Sequence, residues 1–294
     1  MTHPEPHRLN LSAARASVAV AVVLVGVKLW ALWMTGALSV AASLADSALD
    51  VMMSLGAMAA VAYAARPPDD DHAFGHTSVE DLTALGQALF LMLVAAGLVW
   101  QATARLMATE APQLHSEGAG LLAMAVSVAL TAALVVWQGR VAKATGSRVI
   151  AADRLHYMAD LLPALGAIAA LLASRVWGVW QLDAGVALVA ALVLARGSLA
   201  IGRGAWDALM DRRADPAVLD GIARIADGWP GVRGWHDLKT RTAGSRIFVH
   251  LHIELDGDQT LREAHDIGAG LRRAIIEAYP EADVIIHKDV VRET

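Results

Sequence analysis

The chain has no cysteine. Disulfides, thiolate metal sites and cysteine nucleophiles are thereby excluded, so any metal must sit on histidine and carboxylate. It is also poor in charge: 18% of its 294 residues are charged and 56% hydrophobic, where a typical soluble chain has about a quarter charged. It lacks a basic block and its net charge is −5, which argues against a nucleic-acid partner. There is no G-x-x-x-x-G-K-[ST] phosphate loop, no H-E-x-x-H, and no nucleophile beside a base, so neither an ATPase nor an intramembrane metalloprotease is indicated. Transport, if the chain performs it, must draw on an ion gradient or another protein. Nor does a repeat period of about 20–50 residues stand out, which sets aside a solenoid.

What the chain has is long apolar runs. Crossing about 30 Å of hydrocarbon takes roughly 20 mostly apolar residues. Six stretches qualify: Ala14–Thr35, Leu38–Ala64, Leu82–Ala104, Gly120–Gly139, Ile150–Leu172 and Val179–Gly202. Arg8 and Arg15 precede a run too long for a signal-peptide core, with no small-residue cleavage site after it. The last 90 residues carry 28 of the 53 charged side chains. The expected organisation is a transmembrane domain over residues 1–204 and a soluble one over 205–294. Lys and Arg gather at the N-terminus, in the fourth-to-fifth loop (Arg140, Lys143, Arg148) and after the last span (Arg203, Arg212, Arg213). That bias places both termini in the cytoplasm. The second-to-third loop is cytoplasmic by parity yet acidic, through Asp69, Asp70 and Asp71.

The informative residues are the ionisable ones within the apolar runs. Asp46 and Asp50 in the second span stand four apart, and so do His156 and Asp160 in the fifth. Residues four apart share one helix face. Each ionised carboxylate near mid-membrane costs about 3 kcal/mol even on the lenient scale, so something positive must sit between such groups. Lys28 or Arg154 could pair with one of them, but one basic residue cannot satisfy two stacked pairs. Four N and O ligands from two facing helices suit tetrahedral Zn²⁺. Asp153 and Asp183 read instead as interfacial caps.

Asp69, His72 and His76 could close on a second cation, with Gly75 allowing a tight backbone; a solvated charged turn is the other reading. In the tail, the helix Pro216–Asp227, strands Val232–Thr240 and Arg246–Asp256, a helix opened by the box Thr260-Leu261-Arg262-Glu263, and a last strand Asp283–His287 give the order αββαβ. That order makes a small α+β sandwich with one helical layer. Five of the 11 histidines lie there: His236, His250, His252, His265 and His287, with Asp289 beside the last. Taken alone, they are also compatible with a scatter on the surface, and His250 is left out of the candidate set.

These motifs together resemble the cation diffusion facilitators: D-S-x-x-D in the second span, D-x-x-H-x-x-x-H-x-x-x-E in the loop, H-x-x-x-D in the fifth span and a His-rich tail. The likeness is closest to bacterial YiiP-type zinc/proton antiporters and runs from about Asn10 to Asp289. It implies six transmembrane helices with a cytoplasmic ferredoxin-like, metallochaperone-type tail, assembled as a homodimer in the bacterial inner membrane. It implies a transport site at Asp46, Asp50, His156 and Asp160, a loop site at Asp69, His72 and His76, and a binuclear tail site at His236, His252, His265, His287 and Asp289. Zn²⁺ would be both substrate and structural or regulatory ion of the tail. One departure stands out. Where the pattern reads H-G-K-A-E, this chain reads His76-Thr77-Ser78-Val79-Glu80, so the lysine that ties the dimer's membrane halves is Ser78, although its partner Asp211 is present.

The expected function is efflux of Zn²⁺, and of Cd²⁺ with it, in exchange for protons; Fe²⁺ and Co²⁺ also suit imidazole plus carboxylate. Unpaired acids in a low-dielectric site take up protons when the metal leaves, and a histidine with an unperturbed pKa of about 6.5 carries one readily. A membrane-anchored metal sensor or storage protein is the rival, but a mere anchor has no use for Asp46, Asp50 and Asp160 inside lipid.

Overall fold

A computed structural model describes residues 4–35, 38–107, 118–177 and 182–291. Contacts divide the chain into two compact units, one over Pro6–Trp206 and one holding the chain from Asp207 onward.

Among the described residues, the first unit holds six long helices: α1 (Pro4–Thr35), α2 (Leu38–Ala64), α3 (Ser78–Met107), α4 (Gly118–Thr145), α5 (Arg148–Trp177) and α6 (Leu182–Leu209). Among the described residues, four contain stretches long and apolar enough to cross a membrane: His7–Met34, Ser78–Ala104, Ala125–Thr145 and Leu188–Leu209. Most helices extend beyond the apolar runs, because hydrophobicity marks what faces lipid while backbone hydrogen bonding continues through polar turns. Thus α3 starts at Ser78 rather than Leu82, with Glu80 and Asp81 in its first turn. The start expected for the sixth run, residues 179–181, lies outside the described residues.

Helix α5 is the centre of this unit and packs against α2, α3 and α4. Its contacts mix leucine with alanine and glycine, and the small residues let helices approach closely. Leu155 and Ala159 cluster with Leu91, Ala95 and Leu194, and Ala152 with Ala84 and Ala205. A Cβ on Gly197 of α6 would sit 2.9 Å from Leu155 Cδ2. Large apolar side chains point outward instead: Trp33 is 82% exposed and Trp100 78%. On a soluble protein such a surface would aggregate; here it is the face of an integral membrane protein.

The second unit holds α7 (Pro216–Asp227), β1 (Gly234–Ala243), β2 (Arg246–Leu255), α8 (Leu261–Ala278) and β3 (Ala282–Val290). Asp215 caps α7, its Oδ1 accepting from Ala217 N at 2.9 Å, with Pro216 following as first helical residue. The expected capping box is present at α8, Thr260 and Glu263 each accepting from the other's backbone N–H. Strands β1 and β2 form an antiparallel hairpin through Gly244 (φ 56), and β3 joins β2 in parallel after the α8 crossover. Val249, Leu251, Ile253 and Leu255 of β2 face a core with Ile222, Leu271 and Ile275 from the helices. Phe248, on the opposite face, is buried beneath the Arg241 guanidinium, 4.2 Å from its ring centroid. The segment between α6 and α7 is strapped to the end of β1: Thr242 N donates to Arg212 O, Ala214 N to Thr240 Oγ1, and Arg241 pairs with Asp211 at 3.4 Å.

Candidate metal centres

Among the described residues, three sets of ligand atoms lie within 4.8 Å of one another: Asp50, His156 and Asp160; Asp69, His72 and His76; and His236, His252 and Asp289. The first joins Asp50 of α2 to His156 and Asp160 of α5. Asp50 and His156 are 7% and 6% exposed, and Asp50 Oδ1 lies 3.1 Å from His156 Nε2. The i,i+4 spacing does what helical geometry requires, setting both α5 groups on the side facing α2. Asp46 occupies the turn of α2 before Asp50, but its side chain is outside the described ones. Nearby, Lys28 of α1 donates to the buried Ser47 Oγ at 2.6 Å. Arg154 is turned away, its Nε donating to Val135 O at 3.1 Å.

One expectation is overturned here. Asp153 is not an interfacial cap: it is fully buried, and Gln138 Nε2 of α4 donates to its Oδ2 at 2.7 Å. A carboxylate one turn before His156 lies on nearly the same helix face, and that face points inward. Beside it, Ser17, Ser54 and Tyr157 form a buried hydroxyl cluster, Ser54 Oγ being 2.8 Å from both Ser17 Oγ and Tyr157 Oη. These contacts tie α1, α2, α4 and α5 together next to the first metal cluster. For Asp183, near the start of α6, the side chain lies outside the described ones.

The second cluster is in the loop between α2 and α3. His76 Nε2 and His72 Nδ1 each lie 3.2 Å from an Asp69 oxygen. Gly75 takes φ +86°, a conformation that L side chains rarely adopt. The backbone N–H of His72, donating at 2.7 Å, holds the Asp69 carboxyl below its ordinary range. His76 is buried edge-on against Tyr63, the ring centroids 4.7 Å apart.

The third cluster lies across the open face of the sheet. Register places His236 opposite His252 and His252 opposite His287, with Glu254 and Asp289 in the next row. Asp289 is the hub: its Oδ2 is 2.8 Å from His252 Nδ1 and 3.4 Å from His236 Nε2, and its Oδ1 is 3.3 Å from His287 Nε2. Hydrogen bonding from His252 is the main reason the Asp289 carboxyl is held below its usual range. His265, exposed on α8, is not brought into this cluster. His250 lies opposite Lys239, beyond the bulge at Asp237 (φ 51), and stays outside it as well. Glu254, 3.1 Å from His236 Nδ1, was not among the expected residues; its place two residues after His252 on the same strand face was the available signal.

Comparison with known proteins covers both units. The family described as "Cation efflux transmembrane domain" matches residues 14–210, and "Cation efflux protein, cytoplasmic domain" matches residues 214–290. The chain is 38% identical to a cation-efflux pump FieF of Pectobacterium atrosepticum over 289 residues, covering 98% of this chain and 95% of that one. It is also 38% identical to a FieF of Shewanella oneidensis, over 95% and 94% of the two chains. Among solved structures, CzrB is similar over 27% of this chain and 99% of its own, at 31% identity and a TM-score of 0.26. A MamM C-terminal domain is similar over 26% and 96%, at 27% identity and a TM-score of 0.24.

Proposed function

Because the chain belongs to the cation diffusion facilitator family of cation efflux proteins, which are transporters and not enzymes, we propose that it exports Zn²⁺, together with Cd²⁺, in exchange for protons. The observation that carries this reading is the Asp50–His156–Asp160 cluster, in which Asp50 and His156 are buried and Asp160 is exposed, shared between two helices of an apolar bundle. One imidazole and two carboxylates make a mixed N/O set that suits Zn²⁺ better than the all-oxygen sites preferred by Mn²⁺. Asp46, one turn before Asp50, completes four ligands.

In this reading α1 to α6 are six spans, both termini are cytoplasmic, and the bacterial inner membrane is the site of action. Residues 1–204 carry transport; residues 205–294 bind further Zn²⁺ through His236, His252, His287 and Asp289 and hold a homodimer together. The loop site at Asp69, His72 and His76 lies on the cytoplasmic side, where an outgoing ion enters. Zn²⁺ and protons compete for the same oxygens and imidazole nitrogen. Emptied of metal, the ligands cannot remain charged together in a low dielectric, so each departure of an ion draws protons in. Rearrangement of the helices around α5 exposes the site to each side in turn.

The test is purified protein in liposomes with a zinc-sensitive dye and an imposed pH gradient. Zn²⁺ flux should follow the opposing proton gradient and stop when a protonophore collapses it. Flux indifferent to the gradient would overturn antiport. Movement of Fe²⁺ or Co²⁺ but not Zn²⁺ would overturn the choice of metal.

A further inference from the structure

We propose that Glu254 is a positioning residue of the tail cluster: its carboxylate holds the His236 ring by Nδ1 so that Nε2 faces the ion, and Gly234 leaves it the room to do so. This rests on the reading of the tail cluster as a metal site. A neutral imidazole has one N–H donor and one lone pair, and which nitrogen offers the lone pair depends on what the other is bonded to. Glu254 Oε1 lies 3.1 Å from His236 Nδ1, while His236 Nε2 lies 3.4 Å from Asp289 Oδ2. The Nδ1 contact is the shorter of the two and is a hydrogen bond to a carboxylate; an ion held by Asp289 and His252 takes the Nε2 lone pair, which leaves the hydrogen on Nδ1 for Glu254.

Glu254 does not join the set of ligand atoms converging on Asp289. It holds the ring by Nδ1, the nitrogen that does not face Asp289, the place of an outer partner that orients a ligand and raises its basicity.

Gly234 supplies an independent observation. It stands directly opposite Glu254 in the β1–β2 register. A Cβ there would lie 2.8 Å from Glu254 Oε2 and 3.4 Å from Cδ. Gly234 is not among the residues with positive φ, so its backbone does not demand glycine. What is needed at that position is empty space, and the Glu254 carboxylate fills it on its way to His236.

The experiment uses the detergent-solubilised full chain carrying Asp50→Ala and Asp69→Ala, so that titration calorimetry with Zn²⁺ reads the tail. Glu254→Ala should weaken the tail's affinity for Zn²⁺ by roughly 10–100-fold, the usual cost of losing an outer partner. Glu254→Gln, which can still accept from Nδ1, should restore part of the loss, and Gly234→Ala should reproduce it. In ¹⁵N-histidine spectra of the Zn²⁺-loaded protein, His236 should bind through Nε2 with its hydrogen on Nδ1, and that selection should weaken in Glu254→Ala. In a His236→Ala background, Glu254→Ala should have no further effect. Unchanged affinity in Glu254→Ala, or an additional loss in that background, would overturn the positioning role. If His236→Ala itself leaves affinity unchanged, the tail metal site fails and the positioning role falls with it.

Discussion

Replacing Asp50 by Asn separates the ion's needs from those of the fold. The amide keeps the shape of the carboxylate and can still bond the imidazole across the 3.1 Å to His156 Nε2. The cost to folding is then the difference between a charge-assisted and a neutral hydrogen bond, about 1 kcal/mol. A transported ion loses much more. Removing an outer partner of a metal ligand lowers affinity roughly 10–100-fold, so removing an anionic ligand should cost at least about 100-fold, or about 2.7 kcal/mol. Flux of Zn²⁺ below saturation should fall by that factor. The assay is dye-reported uptake into liposomes of matched protein content, alongside thermal melting of the same preparations. Near-normal flux in Asp50→Asn would refute the placement of the transport site. Lost flux accompanied by a collapsed melting transition would show instead that Asp50 serves the fold.

His156→Asp should shift the metal ranking toward Mn²⁺ and Fe²⁺ by replacing a borderline nitrogen with a hard oxygen; an unchanged ranking in competition uptake would take His156 out of the coordination sphere. Ser78→Lys should make the metal-free dimer more resistant to dissociation in detergent, and more so with Arg241→Ala, which releases Asp211 from its 3.4 Å ion pair. An exposed pair is worth only about 0–1 kcal/mol, so light scattering across a detergent series is the suitable readout, and no change in either variant would remove Asp211 from the dimer contact. Thr260→Ala should destabilise the tail by about 0.5–2 kcal/mol through loss of the α8 cap. Glu263, held below its ordinary value of 4.5 chiefly by the Thr260 backbone N–H, contributes stability that is present above that value and lost as pH falls through the lowered one. The acid limb of tail unfolding should therefore flatten in Glu263→Gln, and an unchanged limb would remove Glu263 from the pH dependence.

Helical spacing carried most of what could be read before the structure. Asp50, His156 and Asp160 declare themselves because a period of four fixes which residues share a face, and one basic residue cannot satisfy two stacked pairs inside apolar runs. The same rule applied to Asp153, three residues before His156, would have placed it inward rather than at an interface. Strand register is not written in one strand alone. That His236 meets His252 and His287 in one row, while His250 is displaced to face Lys239, depends on the bulge at Asp237. No periodicity announces that bulge. Alternation placed Glu254 on the His252 face, but its partner lies on another strand and its space is made by a glycine, so its role could not be read from one strand. His265 is the converse: composition made it a candidate, and the fold leaves it exposed on α8, outside the set of ligand atoms around Asp289.

The strap between α6 and α7 has a bearing on how such proteins can be recombined. Asp211, Arg212 and Ala214 are sequentially a linker, yet they are bonded to Arg241, Thr242 and Thr240 as if they were a further edge of the sheet, and Asp207 pairs with Arg212 one turn earlier. A chimera spliced at Asp215, where the tail's first helix begins, would graft a foreign sheet onto a strap cut for this one. The seam that keeps the fitted pieces together lies before Asp207, inside the last turns of α6, so the natural unit of exchange is the tail with the end of its own helix attached.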